Sequence, residues 1–263
     1  MMLSTGSRIG IAGAAVVGVA FGMARYVYGL TLPSVRADLG LSELVTGLVT
    51  SATFAGYLAG LVFAGPLAAR RGSRAPTTVG GVCGALGAVI VTVAQSPWSL
   101  ALGAILAGSA GGWVWALYSD IVTRSVPLRE QPRALATITT GTGGGLIVLA
   151  ALAGAALLDS WRLVWAGVAI AAVVNVRLIP RTVPSARPRG DRGAASLARA
   201  LQATAFTGCL VVGAISSVIA PAVAGAVIPG IGLGPLLVWS AGVSLLGAVA
   251  LTLPSRSGRA HSV

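Results

Sequence analysis

The chain alternates long apolar runs with short polar connections, and the runs set the prediction of its fold. Each run is close to the roughly 20 residues that an α-helix needs to cross a bilayer. Eight such spans are predicted, near residues 9–33, 43–68, 77–95, 98–119, 134–157, 161–180, 200–227 and 233–253. The pattern predicts an all-α, polytopic transmembrane helical bundle. The single long polar stretch divides it into a six-helix bundle (1–180), a basic linker (181–199) and two further helices with a polar tail (200–263).

Composition supports a membrane protein and excludes several kinds of chemistry. The 263 residues are 56% hydrophobic and 9% charged, with a mean hydropathy of +0.90; soluble domains carry about 25% charged residues. All 18 basic residues are arginine, so lysine-dependent phosphate loops and Schiff-base chemistry are excluded. Cys83 and Cys209 lie in apolar runs and His261 is the single histidine, so we expect no metal site, no cofactor and no enzymatic activity.

The arginines explain the net charge of +12 through membrane topology. Fifteen of the 18 flank one side of the predicted spans, whereas Arg36 and Arg162 lie on the opposite side and Arg25 lies within a span. The positive-inside rule therefore predicts a plasma-membrane protein with both termini in the cytoplasm. The basic residues form no patch interleaved with aromatic residues, so nucleic acid is not an expected partner.

Arg25 is the one basic residue at membrane depth, and two interpretations of it stay open. Helical spacing places Gly18, Gly22, Arg25 and Gly29 on one stripe, where a neighbouring helix approaches closely. A charge within a span is expensive and is usually turned inward and used. A guanidinium there pairs with a carboxylate, which favours an anionic small-molecule substrate. The alternative is that Arg25 only extends to the nearer membrane surface.

Several motifs in the first six spans occur in a recognisable order. They are Gly22, Arg25, Tyr26 and Tyr28 in span one; Gly40-Leu41-Ser42 after it; Gly56-Tyr57-Leu58-Ala59-Gly60 in span two; Gly65, Arg70, Gly72 and Arg74 after that; and Trp113 to Asp120 in span four. Together they resemble the major facilitator superfamily of transporters, and within it the YbfB-like bacterial permeases. Ala69 stands where the superfamily signature has an acid. Residues 200–253 resemble the last two helices of that family, so helices seven to ten are expected to be missing; a truncated chain with diverged helices seven and eight is the alternative.

The resemblance implies alternating-access transport of a small solute and assigns residues to it. The implied cavity-lining residues are Arg25, Tyr28, Tyr57, Trp115, Tyr118, Ser119, Thr139, Thr140 and Thr142. The implied cytoplasmic gate consists of Gly65, Arg70, Gly72, Arg74 and Asp120. With four of the six helices of the second bundle missing, a second copy or another transporter half is expected to complete the cavity. The alternative function is a remnant or membrane scaffold that transports nothing.

Structural interpretations compete with these roles at several positions. Trp115 and Tyr118 also suit an aromatic belt at the membrane surface, and the threonines also suit hydrogen bonds to their own helix. Asp120 is equally suited to a solvated loop. The glycines from Gly141 to Gly145 are interpreted as a surface for close helix packing. No acid lies in mid-span, so the sequence offers no buried carboxylate for proton coupling.

Overall fold

The computed structural model describes residues 4–156 and 160–183, and this part of the chain is helical. The elements are α1 (Thr5–Val17), a π-helical segment (Gly18–Met23), α2 (Val27–Leu39), α3 (Glu43–Arg71), α4 (Arg74–Thr92), α5 (Pro97–Ser125), a 3-10 turn (Leu128–Glu130), α6 (Gln131–Ala156) and α7 (Trp161–Thr182). The predicted spans at 200–227 and 233–253, and nearly all of the predicted linker, lie outside the described residues.

Six segments of the described residues are long and apolar enough to cross a membrane. The first is Thr5–Leu39, which joins α1, the π-helical segment and α2, and the other five correspond to α3 to α7. The first six predicted spans and the all-helical membrane fold are therefore confirmed. Helix α3 continues to Arg71 and α5 to Ser125. Both helices therefore extend beyond the predicted apolar spans into the polar residues that follow them.

Short polar residues set the helix starts and glycine sets one of the ends. The Ser42 side chain accepts a hydrogen bond from the Val45 N–H at the start of α3, and Ser96 forms a reciprocal capping box with Ser99 at the start of α5. These bonds satisfy N–H groups that have no partner within the helix. Gly40 ends α2 with φ of 61°, a left-handed conformation that favours glycine. Spans one and two are thereby joined by a tight turn.

Close contacts between glycines hold span one against α6. A Cβ on Gly145 would collide with the carbonyl of Gly18, and one on Gly141 would collide with Ala14. The two backbones thus lie closer together than larger side chains would permit. This confirms close helix packing as the role of Gly141 and Gly145. Gly143 and Gly144 have no neighbour within 4 Å and do not take part in this contact. Helix α3 packs along α5, and α4 packs on both α5 and α7.

A buried hydrogen bond fixes α2 against α7. The Trp165 indole N–H donates to the Thr31 hydroxyl at 3.0 Å, and that hydroxyl donates to the Val27 carbonyl at 2.8 Å. Both Trp165 and Thr31 are fully buried. The Trp165 indole N–H and the Thr31 hydroxyl are both hydrogen-bonded, as buried polar groups usually are. The bond sets the position of α2, which carries Tyr28.

Candidate functional site

Aromatic rings surround the Arg25 guanidinium. Its central carbon lies 4.1 Å from the ring centroid of Tyr57 and 4.9 Å from those of Phe21 and Phe54. We call these four residues the Arg25 cage. The side chain is half-buried, and among the described residues it has neither an ion-pair partner nor a hydrogen-bond partner. The rings stabilise the cation through its faces, while the N–H groups at its edge stay available.

The π-helical segment explains why Arg25 points at α3. The Ala24 N–H donates to the Val19 carbonyl, five residues back, at 2.9 Å. A π turn holds more residues than an α turn, so the side chains that follow it are rotated about the helix axis. Gly22 consequently faces α6, where a Cβ would lie 2.7 Å from the Thr142 carbonyl oxygen, whereas Arg25 faces α3.

The single stripe predicted for span one is therefore wrong. Gly18 and Gly22 do allow close approach, but to α6. Gly29 has no neighbour within 4 Å, and it faces the same cavity as Arg25 rather than α6. The spacing assumed a regular α-helix from residue 18 to residue 29, and the π turn breaks that regularity. The interpretation of Arg25 as a residue that only reaches the membrane surface receives no support, because its guanidinium contacts rings of the neighbouring helix.

A cavity of about 170 Å³ lies beside the cage, between span one and α3. Arg25, Phe54 and Tyr57 of the cage line it, together with Tyr26, Tyr28, Gly29, Leu32, Thr50 and Thr53. Most of these groups present rings or alkyl surface. The cavity therefore combines apolar walls with one fixed positive charge, an arrangement typical of small-molecule sites.

The two threonines in the cavity wall are already hydrogen-bonded, whereas Tyr28 is not. The Thr50 hydroxyl donates to the Thr46 carbonyl at 2.9 Å and the Thr53 hydroxyl to the Val49 carbonyl at 3.0 Å. The Tyr28 side chain is 2% exposed; its hydroxyl lies beside the Thr50 side chain but forms no hydrogen bond of normal geometry with a described residue. A buried hydroxyl without a partner is costly, so Tyr28 and Arg25 are the polar groups of this cavity that a ligand would satisfy.

Span four contributes one residue to the surroundings of the cage and places two elsewhere. The Trp115 indole stacks on the Phe21 ring at 4.6 Å between centroids and so supports the cage from behind. Tyr118 is 3% exposed and packs where its ring would meet a Cβ on Gly13. It lies neither in the cavity wall nor in an exposed aromatic belt. Ser119 is exposed and does not line the cavity.

The predicted threonines of span five do not approach the cavity. Thr139 and Thr140 are exposed, and their hydroxyls donate to the carbonyls of Leu135 at 3.0 Å and Thr137 at 2.7 Å in the same helix. Thr142 is half-buried against span one, and its hydroxyl has no partner among the described residues. The structure thus brings Arg25, Tyr28 and Tyr57 together, with Trp115 behind them.

The predicted gate residues have other partners in this structure. Asp120 pairs with Arg124, one turn along α5, at 2.7 Å. Arg74 donates from Nε and Nη2 to the Val183 carbonyl, at 3.1 and 2.9 Å, and so satisfies the end of α7. Arg70 is exposed. Among the described residues, no ion pair joins Asp120 to Arg70 or Arg74, the charged residues of the implied gate, in this conformation.

The two glycines of the predicted gate differ from each other. Gly72 is buried with φ of 81°, so a side chain at this position would strain the turn between α3 and α4. Gly65 is exposed with no neighbour within 4 Å. The first has a backbone role, whereas nothing in the surroundings of the second requires glycine.

Sequence reasoning missed a second arginine site, which we call the Arg162 cluster: Asp38, Ala94, Trp161 and Arg162. Arg162 donates from Nη1 to the Asp38 carboxylate at 2.6 Å and from Nη2 to the Ala94 carbonyl at 2.9 Å. The Trp161 indole N–H donates to the same carboxylate at 3.2 Å, and the guanidinium lies 4.3 Å from the Trp161 ring centroid. The available signal in the sequence was that Asp38 and Arg162, which have opposite charges, are both predicted on the side of the membrane that has few arginines.

Comparison with known proteins decides the family. The family model described as Major Facilitator Superfamily matches residues 14–259. This chain belongs to that superfamily. Purine ribonucleoside efflux pump NepI of Escherichia coli (strain K12) is 31% identical over 179 residues, which cover 65% of this chain and 45% of the pump. Myo-inositol transporter 3C of Cryptococcus neoformans var. grubii is 27% identical over 162 residues, covering 59% and 27%. The chain therefore aligns with less than half the length of these curated relatives, which are transporters.

Solved structures share the fold. A bacterial homolog to the human lysosomal transporter Spinster, in an inward-facing and occupied conformation, has a TM-score of 0.56 and 21% identity, covering 72% of this chain and 46% of that one. The peptide transporter POT in complex with sulfate has a TM-score of 0.55 and 15% identity, covering 92% and 50%. At these identities the likeness concerns the fold alone. It confirms a multi-pass membrane protein with the helix arrangement of these transporters.

Proposed function

We propose that this chain belongs to a permease that moves a small anionic solute across the plasma membrane, with the Arg25 cage as its substrate site. One observation carries the proposal: a guanidinium within the Thr5–Leu39 span lies over three aromatic rings and has no acceptor among the described residues. A charge within a span costs up to about 2.5–3.5 kcal/mol on insertion scales, reached at the centre of the membrane. A substrate carboxylate is the group that offsets this cost most directly.

The geometry favours an anion over a neutral ligand at Arg25. The guanidinium presents its N–H donors in a planar fork that matches the two oxygens of a carboxylate. Such charge-assisted bonds are strong where water is scarce, and the apolar walls of the cavity keep water scarce. Tyr28 and Tyr57 complete the proposed binding set, because one offers a buried hydroxyl and the other the ring nearest the cation.

A purine ribonucleoside is the second candidate, because one observation favours it. The cage supplies ring faces on which a planar base would stack, and the relative from Escherichia coli is named for efflux of that class of compound. This candidate leaves the charge of Arg25 without a counter-charge, so we rank it second. The two candidates differ in charge and are therefore separable by uptake measurements.

The proposed mechanism is alternating access, in which one helix bundle rocks against another around a site near the membrane midplane. A six-helix bundle supplies one wall of such a site. We propose that a second copy of this chain, or another transporter half, contributes to the opposite wall, together with residues 200–263. The proposed orientation keeps both termini in the cytoplasm, and Gly65, Arg70, Gly72, Arg74 and Asp120 form the proposed gate at that side, with Arg70 and Asp120 approaching in another conformation.

Uptake into proteoliposomes tests the proposal. The probes are labelled lactate, glutamate, benzoate and adenosine, each with the full chain and with the variants Arg25→Ala and Arg25→Lys. We expect saturable uptake of at least one carboxylate, abolished by Arg25→Ala and reduced about tenfold by Arg25→Lys, because an ammonium does not reproduce the fork.

The matched control is Arg36→Ala, which removes an arginine that is paired with Glu43 at 3.1 Å. Its uptake should equal that of the unaltered protein. Uptake of adenosine alone would select the second candidate. Carboxylate uptake that survives Arg25→Ala would place the substrate site elsewhere.

A further inference from the structure

The cavity beside Arg25 has one polar end and an otherwise apolar wall. This combination restricts the chemical class of ligand that the cavity would bind. We infer that the ligand is a small aromatic monocarboxylate of about the size of benzoate, with its carboxylate on Arg25 and Tyr28 and its ring against the apolar wall. This inference rests on the proposed function, since it specifies the anion that the Arg25 cage would bind.

The polar end accommodates one carboxylate. The Arg25 central carbon lies over the rings of Phe21, Phe54 and Tyr57, so the ligand approaches the N–H groups that these rings leave uncovered. A carboxylate has about four lone-pair positions on two oxygens. Two of them accept from Arg25, which leaves a position for the Tyr28 hydroxyl once the ligand displaces the side chains that cover it in this structure. One group then satisfies both unfilled polar groups of the cavity.

A second carboxylate has no partner among the described residues that line this cavity. Among its lining residues, Arg25 is the single base. The Thr50 and Thr53 hydroxyls already donate to carbonyls of their own helix. A second anionic group would thus be taken from water without compensation, which costs far more than the loss of a neutral hydrogen bond. The site therefore favours monocarboxylates over dicarboxylates.

The body of the ligand faces rings and alkyl groups in a small volume. The cavity measures about 170 Å³, and an apolar protein cavity of roughly 150 Å³ accepts benzene. One ring with one carboxylate therefore fits between span one and α3. A purine ribonucleoside carries a two-ring base and a sugar, which would extend beyond these two helices. Its ribose hydroxyls would also lie against a wall that offers Tyr28 and Arg25 alone as unfilled partners, at about 1–3 kcal/mol for each hydroxyl left unpaired.

An aromatic ring suits the wall better than an alkyl chain of equal size. Tyr57 and Phe54 line the cavity, and the Arg25 cation lies over both rings. Pairs of aromatic rings contribute about 0.5–1.5 kcal/mol beyond the apolar area that they bury. We therefore expect benzoate to bind several-fold more tightly than cyclohexanecarboxylate, which has the same carboxylate and a saturated ring.

Calorimetric titration of the purified full chain in detergent tests the inference. The probes are benzoate, cyclohexanecarboxylate, phthalate, glutamate and adenosine. We expect benzoate to bind most tightly, cyclohexanecarboxylate several-fold more weakly, and phthalate, glutamate and adenosine at least tenfold more weakly than benzoate. Tyr28→Phe should weaken benzoate about tenfold, since it removes one hydrogen bond to a charged group.

The matched control is Tyr118→Phe. It also removes a buried hydroxyl that has no partner among the described residues, but outside the cavity wall, so benzoate affinity should be unchanged. Thermal unfolding of both variants shows whether they are folded.

The results of these titrations distinguish a failure of the inferred ligand class from a failure of the proposed anion site. If glutamate binds in an Arg25-dependent way and benzoate does not, the ligand class is wrong and the anion site stands. If Tyr28→Phe and Tyr118→Phe have equal effects on benzoate, Tyr28 does not contact the ligand. If no carboxylate depends on Arg25, the proposed function fails and the inference fails with it.

Discussion

Arg25 and Arg162 both lie over aromatic rings, yet only the N–H groups of Arg162 have hydrogen-bond acceptors among the described residues. Arg162 stacks on Trp161 and also donates to the Asp38 carboxylate and the Ala94 carbonyl. Arg25 contacts three rings and donates to no described residue. The aromatic contact is thus common to both, and the acceptors are what differ.

That difference separates an arginine that holds the fold from one that is available to a ligand. The Arg162 cluster joins the ends of spans one and three to the start of span six, so its bonds are internal to the bundle. The Arg25 cage instead opens on a cavity. A buried cation is tolerated when it is paired. The protein supplies that pair for Arg162, whereas half-buried Arg25 has no counter-charge among the described residues, as a substrate site of the kind proposed requires.

The largest expected effect comes from giving Arg25 the acceptor that Arg162 already has. Thr50 lines the cavity beside Arg25, so Thr50→Glu places a carboxylate where the ligand carboxylate would bind. An internal carboxylate competes at high effective concentration. We expect benzoate affinity, measured by calorimetry, to fall at least ~100-fold, because two charge-assisted hydrogen bonds are then already formed.

Thr50→Gln is the matched control, since it has the same length and no charge. It should reduce benzoate affinity by no more than about fivefold, through crowding of the cavity. Equal losses in the Glu and Gln variants would mean that size alone explains the effect. Unchanged binding in Thr50→Glu would contradict the assignment of Arg25 as the anion site.

Hydropathy was sufficient to predict the first six spans and to place Arg25 within one of them. The Arg25 cage could not be predicted, because Phe21 lies on span one and Phe54 and Tyr57 lie on α3. Their rings meet only when the two helices pack with a particular rotation about their axes. The π turn ending at Met23 changes the rotation of everything after it, and no periodicity in the sequence marks it. Family resemblance placed Tyr118 and Thr139 in the transport cavity; in the structure Tyr118 is buried and Thr139 is exposed on α6, and neither lines the cavity beside Arg25.

The intermediate effect concerns stability at the Arg162 cluster. Arg162→Leu removes the bond to the Ala94 carbonyl, the ion pair with Asp38 and the contact with Trp161. We expect the free energy of unfolding to fall by about 1–2 kcal/mol, chiefly from the carbonyl bond and the cation–π contact. Benzoate affinity should be unchanged. Unfolding by denaturant in detergent measures the first quantity and calorimetry the second.

The matched control for this cluster is Arg124→Leu, which breaks the pair with Asp120 within α5. Pairs of this spacing contribute about 0.3–0.5 kcal/mol, so the control should be clearly milder. If both variants lose equal stability, the Arg162 cluster does not tie the spans together as its contacts indicate.

The smallest expected effect is the stability of Arg25→Leu, compared with Arg162→Leu as the same substitution at the other arginine. The variant loses cation–π contacts worth about 0.5–2 kcal/mol. It also relieves the desolvation of an unpaired charge within a span, which is at least as large. The unfolding free energy without ligand should therefore stay within about 0.5 kcal/mol of the original or rise. A loss as large as that of Arg162→Leu would show that Arg25 has a structural partner, and the distinction between the two arginines would then be withdrawn.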